Sequence, residues 1–112
     1  MILAKFLGWE VDSFSVVVTK QHSSLLNLER RRVFDLALRF DTDWNWIMLV
    51  VEKINTIEGG RFTFQIMSMD VEIHDYLKGG LYIDFFSGNT PDQLIKSVYE
   101  ACVEFVKKYN NE

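Results

Sequence analysis

Cysteine is almost missing from this chain. Cys102 is the only one in 112 residues. An internal disulfide framework is therefore excluded, which fits a reducing compartment, and a cytoplasmic location is expected. Long apolar runs are missing too. Nothing approaches the ~20 consecutive apolar residues that cross a bilayer, so no membrane association is expected. The apolar opening Met1-Ile2-Leu3-Ala4-Lys5-Phe6-Leu7-Gly8 is too short and wrongly flanked for a signal peptide. Basic charge is scarce: 12 Lys and Arg stand against 16 Asp and Glu, for a net charge of −4. Nucleic-acid binders usually carry a basic face that neutralises phosphates, so no nucleic acid is expected as partner. The one dense basic cluster, Arg30-Arg31-Arg32 beside Glu29, reads as a solvated turn or strand edge. Proline occurs once, as Pro91. Neither Gly59-Gly60-Arg61 nor Gly79-Gly80 has the glycine pattern and Lys-Ser/Thr of a phosphate loop, and both read as plain turns.

What the chain has in quantity is aromatic and aliphatic bulk. Hydrophobic residues make up 48% and charged residues 25%, which is ordinary for a folded domain and excludes a disordered one. Nine Phe, four Tyr and three Trp predict a core rich in aromatics. The length leaves room for a single core, and residues 1–112 are read as one domain.

The last block reads most clearly. Thr90 suits an N-cap, Pro91 the first helical position, and Gln93 completes a capping box. Ile95, Val98, Tyr99, Cys102, Phe105, Val106 and Tyr109 then recur at helical spacing, with Lys96, Glu100, Glu104, Lys107 and Lys108 opposite. A second helix is expected from about Asp43 to Ile57, capped by Asp41, Thr42 or Asp43 and closed by Gly59-Gly60. Its apolar set, Trp44, Trp46, Ile47, Met48, Val50, Val51, Ile54 and Ile57, covers about 200° of the circumference, twice the stripe of a surface helix. Leu49 falls on the remaining, mostly polar side. Such a helix is either nearly buried or touches a partner as well as its own sheet. Strands are expected where apolar residues alternate: Phe14 to Val18, Arg61 to Ile66 and Leu81 to Phe86. Parity switches from Phe62, Phe64 and Ile66 to Met69, Val71 and Ile73, which demands a bulge or tight turn near Ser68-Met69-Asp70. Val33 to Phe40 fits a strand or a helical face, and the strand is favoured. Residues 2 to 7 form a short helix stopped by Gly8. The sum is an α+β fold: an antiparallel sheet of four or five strands with two long helices packed on one face.

The stretch Phe40-Asp41-Thr42-Asp43-Trp44-Asn45-Trp46-Ile47-Met48-Leu49-Val50-Val51-Glu52-Lys53-Ile54 resembles a signature, roughly SWDWLMPVVEKI, of small uncharacterised proteins of gut bacteria and their phages. Val98 to Asn110 is similar to their AVYNAVVEFIKWYN ending, and Leu3-Ala4-Lys5-Phe6-Leu7-Gly8-Trp9 to their IAEFMGW start. Together these blocks span about a third of the chain. The resemblance implies a phage or prophage origin and no particular activity. This sequence departs at Leu49, where the relatives carry Pro. A proline deep in a helix costs about 3 kcal/mol, so the relatives imply a helix that becomes regular late, near Trp46.

Candidate chemistry centres on His74. On a strand, Glu72, His74 and Tyr76 share one face, and Glu72 with His74 could supply metal ligands or an acid–base pair. Asp70, Asp75 or Asp84 could add a third group. The spacing is generic, the bland reading is a solvated polar strand face, and no cofactor or metal is expected. His22 with Ser23 and Ser24 reads as loop polarity, since no buried acid or oxyanion site accompanies them. Cys102 reads as a small buried hydrophobe. Trp44 and Trp46 point to opposite sides of their helix, so one of them, with Leu49, is a candidate for contact with a partner. The function that follows is a non-enzymatic accessory or protein-interaction protein, self-association included. The alternative is a small enzyme or a ligand- or metal-binding protein with a pocket between sheet and helices near Glu72, His74, Asp84 and Tyr82.

Overall fold

The computed structural model describes residues 1–68, 70–86 and 90–112. Met69, expected on an inner strand face, and Gly88 and Asn89, expected in the turn before the last helix, lie outside them. The first half of the chain runs α1 (Ile2–Phe6), β1 (Glu10–Val11), β2 (Ser15–Val17), α2 (Lys20–Leu25) and β3 (Arg32–Phe34), followed by a 3₁₀ turn at Asp35–Ala37. The second half runs α3 (Trp44–Thr56), a 3₁₀ turn at Ile57–Gly59, β4 (Phe62–Ile66), β5 (Asp70–Asp75), β6 (Leu81–Phe86) and α4 (Pro91–Asn110).

The fold is α+β, but the expected single sheet of four or five strands is corrected. There are two antiparallel sheets of three strands, in the orders β1-β2-β3 and β4-β5-β6. Alternation along a strand reveals which face is buried and says nothing about which strand lies alongside. Both sheets are meanders, since each strand pairs with its neighbour in sequence. The favoured strand over Val33 to Phe40 is corrected as well. It ends at Phe34, and the chain turns at once into the 3₁₀ segment.

The two long helices lie together on the inner face of the second sheet, α3 against β4 and α4 against β5 and β6. Helix α4 begins as its sequence dictates. The Thr90 hydroxyl accepts from the Gln93 N–H, and the Gln93 side chain returns a bond to the Thr90 N–H. Its inward stripe buries Ile95, Val98, Ala101, Cys102, Phe105 and Val106. Helix α3 is capped by Asp43, whose carboxylate accepts from Asn45 N–H, so it is regular from Trp44 rather than from near Trp46. It buries Trp46, Ile47, Leu49, Val50, Val51 and Ile54, while Trp44 and Met48 of its wide apolar arc stay exposed.

Two aromatic clusters anchor the core. Phe105 sits at the centre of one, with Phe6, Phe62, Tyr82 and Tyr109 at centroid distances of 6.1, 4.8, 5.6 and 5.5 Å. Trp9, Phe40 and Trp46 form the other, with mutual distances of 5.4 to 5.9 Å. This second cluster joins the N-terminal segment to α3. Helix α1 is tied to α3 by Lys53, whose ammonium donates to the Phe6 carbonyl and lies over the Phe6 ring.

Candidate functional site

The outer face of the second sheet carries the predicted polar residues. On β5, Val71 and Ile73 point inward to the helices, so Glu72 and His74 point outward. The ladder sets Glu72 opposite Asp84 on β6 and opposite Gln65 on β4. Glu72, His74 and Asp84 are thus brought together. His74 Nε2 lies 3.5 Å from Glu72 Oε2. Carboxylate oxygens of Asp70, Glu72 and Asp84 lie within 4.8 Å of one another. Like charges so close resist full ionisation. The Asp84 carboxyl is raised, first by its hydrogen bond with Asp70, then by desolvation and by the charges of Asp70 and Glu72, while His74 opposes the shift.

Two residues named with that group are elsewhere. A register shift between Ile73 and His74 inserts an extra residue opposite them on β6, and Tyr82 turns inward against Phe62. Tyr76 lies beyond the end of β5 and is exposed. The carboxylates therefore line an open strand face on the side away from the helices, not a pocket between sheet and helices. A groove of about 600 Å³ does lie near the β5–β6 turn, with Asp75, Lys78, Tyr82, Lys108 and Glu112 in its wall, but Glu72, His74 and Asp84 take no part in it.

Asp75 belongs to a different constellation, which sequence reasoning missed. At the end of β5 its parity turns it inward, where Arg61 Nε and Nη2 donate to its two oxygens at 3.0 and 2.9 Å. Arg61 also grips Glu112 through Nη1 and Nη2, both at 3.0 Å, and Glu58 at 3.0 Å. The Tyr82 hydroxyl donates to Glu112, and the Tyr109 hydroxyl to Glu58. Glu58 sits in this constellation with a left-handed φ of 49°. Asp75 is lowered to about 2, chiefly by its bonds from Arg61. Glu112 is lowered by the same guanidinium. With both oxygens of Asp75 and of Glu112 and one oxygen of Glu58 engaged, this is a clamp between the α3–β4 turn, the end of β5 and the end of α4.

The apolar candidates separate cleanly. Trp46 and Leu49 are core residues, while Trp44 and Met48 show 36% and 43% of their surface. The larger exposed group is on the first sheet. Phe14, Phe34 and Leu36 are exposed to 73%, 65% and 97%. Their backbones are adjacent, because Phe34 pairs with Ser15 and Asp35 N–H donates to Phe14 O at 2.8 Å. Arg30, Arg31 and Arg32 flank them, exposed, and among the described residues these three make no ion pair. The signal in the sequence was the ambiguous period of Val33 to Phe40, which is what a strand passing into a 3₁₀ turn leaves behind.

The remaining candidates read as structural. His22 lies in α2, a helix where a loop was expected, and its Nδ1 accepts from Trp9 Nε1 at 2.9 Å. Burial lowers its pKa, which favours the neutral form this bond needs. Cys102 is fully buried, and desolvation pushes its thiol up, away from reactivity. Among the described residues no helix is long and apolar enough to cross a membrane. No protein-family model matches this chain, and no curated protein or solved structure matches it either.

Proposed function

We propose that this chain is a non-enzymatic interaction protein that docks through the rim of its first sheet. One observation carries the reading: Phe34 and Leu36, two residues apart where β3 ends, are exposed to 65% and 97%, and Phe14, whose carbonyl accepts from Asp35 between them, to 73%, beside three exposed arginines. Clustered apolar surface of this kind marks interaction sites on monomeric proteins, and aromatic residues with arginine are what interface centres are enriched in. The docking face lies here rather than at Trp46 and Leu49, whose side chains are occupied in the core. The test is affinity capture with the tagged chain against the Phe34→Glu/Leu36→Glu double variant. Both positions are exposed, so the variant should melt within a few degrees of the parent and lose specific binding. Equal capture by parent and variant would remove the rim from consideration.

A second reading, a polar-ligand or divalent-cation site at Asp70, Glu72 and Asp84, is favoured by the convergence of three carboxylates. Hard cations take oxygen ligands of this kind, and a bound cation would offset the mutual charge of the three carboxylates. Calorimetric titration with calcium and manganese tests it. Heat that disappears in Asp84→Asn supports the site, and flat titrations at millimolar ion leave the cluster a solvated strand face.

A further inference from the structure

Strand β3 is an open edge. It bonds to β2 on one side, and among the described residues no strand lies on its other side. The ladder fixes which of its backbone groups are free. Val18 N–H donates to Arg31 O and Asp35 N–H donates to Phe14 O, both at 2.8 Å, and Val33 faces Val16 midway between. In an antiparallel ladder hydrogen-bonded residues alternate, so Arg31, Val33 and Asp35 turn their amides toward β2. Arg32 and Phe34 turn theirs outward. The free edge is thus short and extended, and it carries exposed Phe34, with exposed Leu36 just beyond its end.

We propose that the occupant of this edge is a second copy of the same chain, its β3 laid antiparallel about a two-fold axis at Val33. The inference rests on the reading of the rim as a docking face and names its partner. The argument for a second copy is the self-complementarity of Arg31-Arg32-Val33-Phe34-Asp35. About that axis Val33 meets Val33. Arg32 and Phe34, the two residues with outward amides, face each other as hydrogen-bonded pairs on both sides. Arg31 meets Asp35, opposite charges that occur twice by symmetry. Moving the axis to Arg32 would set that arginine against itself. Moving it to Phe34 would set Val33 against Asp35 and Arg32 against Leu36, and Asp35 and Leu36 are both in the 3₁₀ turn, whereas about Val33 the ladder bonds end at Phe34 and Asp35 only flanks them. The pairing joins two three-stranded sheets into one of six. It brings Phe34 and Leu36 of each copy to the seam, and it covers an edge that soluble proteins otherwise protect. Single-stranded nucleic acid is the rival occupant, since arginines and exposed phenyl rings suit phosphates and bases, but a net charge of −4 opposes it.

Sedimentation velocity on the full chain across a micromolar concentration series tests the proposal. The parent should pass from monomer to dimer. Phe34→Pro should remain monomeric with unchanged circular dichroism. Phe34 has φ −72°, which proline adopts without strain, and its N–H points away from β2. Arg31→Asp and Asp35→Arg should each weaken the dimer roughly tenfold or more, because each sets like charges together at two symmetric places. An equimolar mixture of the two variants should recover parental affinity, since every pair is then opposite in sign. No role of these residues in the monomer fold predicts that recovery. A parent that stays monomeric at every concentration overturns the inference. The docking reading then survives if Phe34→Glu/Leu36→Glu abolishes capture of a different protein, and falls with the inference if it does not. A dimer indifferent to Phe34→Pro, or variants that fail to complement, overturns the pairing at β3. Binding of a labelled single-stranded oligonucleotide that weakens steeply with salt and is lost in Arg31→Asp would give the edge to nucleic acid instead.

Discussion

Asp75 ionises against the Arg61 guanidinium, and that couples stability to acid. Its folded pKa of about 2 lies below the ordinary 3.8, so ionisation is favoured by folding. The contribution is fully present above the ordinary value and is lost as pH falls toward 2. Glu112, lowered by the same arginine, acts in the same direction. Thermal melts from pH 6 to pH 2 should show the parent losing midpoint steadily below pH 4. Asp75→Asn should start lower at pH 6 and decline less over that interval. Parallel curves for parent and variant would show that the pair contributes nothing that titrates. At this scale the open carboxylate face was legible and the clamp was not. Alternation alone placed Glu72 and His74 on one strand face, and Asp84 faces Glu72 through register. Arg61 offered no such signal: it follows two glycines and looks like turn polarity, and two of its three partners, Asp75 and Glu112, lie 14 and 51 residues away.

Leu49 tests what an element tolerates. Helix α3 is regular from Trp44, so by Leu49 the intrahelical bonds are established and the side chain is buried. Leu49→Pro removes one bond, sets the ring against the preceding turn and empties part of the core, and should cost about 3 kcal/mol or more by chemical denaturation. A loss below about 1 kcal/mol would show that the start of α3 can unwind to a later first turn, the arrangement the resemblance at this position implies. Elements with strong end signals were readable. Helix α4 has a capping box, a leading proline and a long apolar stripe, and α3 has an aspartate cap, though it ends at Thr56 and the glycines close the 3₁₀ turn after it. Helix α2 has neither stripe nor box: Lys20–Leu25 is mostly polar, and its support is the Thr19 cap, buried Ser23 and the bond from Trp9 to His22. The division into two sheets was out of reach for a different reason. A strand's pattern fixes its buried face, whereas its partners depend on chain turns such as the one that carries Val11 back to Val16.

The two sheets differ in how firmly the molecule holds them. Strands β4, β5 and β6 have five, six and six residues and lie under both long helices. Strands β1, β2 and β3 have two, three and three, and join the core through Val16, Val18, Val33 and the Trp9, Phe40 and Trp46 rings. Local opening follows the density of buried contacts, so the first sheet should open without the second. Native-state hydrogen exchange should resolve two tiers. Amides of β5, α3 and α4 should exchange near the global unfolding rate. Val16 and Val33, bonded to each other across β2 and β3, should exchange at least about tenfold faster. Trp9→Ala, which removes the ring between the first sheet and α3, should widen that gap while leaving β5 the slowest tier. Uniform protection across both sheets would mean that the Trp9 cluster binds them into one cooperative unit. In the two-tier case the rim of Phe14, Phe34 and Leu36 is carried on the part of the molecule with the least internal support. A partner laid along β3 would then raise the protection of Arg32 and Phe34 by supplying acceptors for amides that now face solvent.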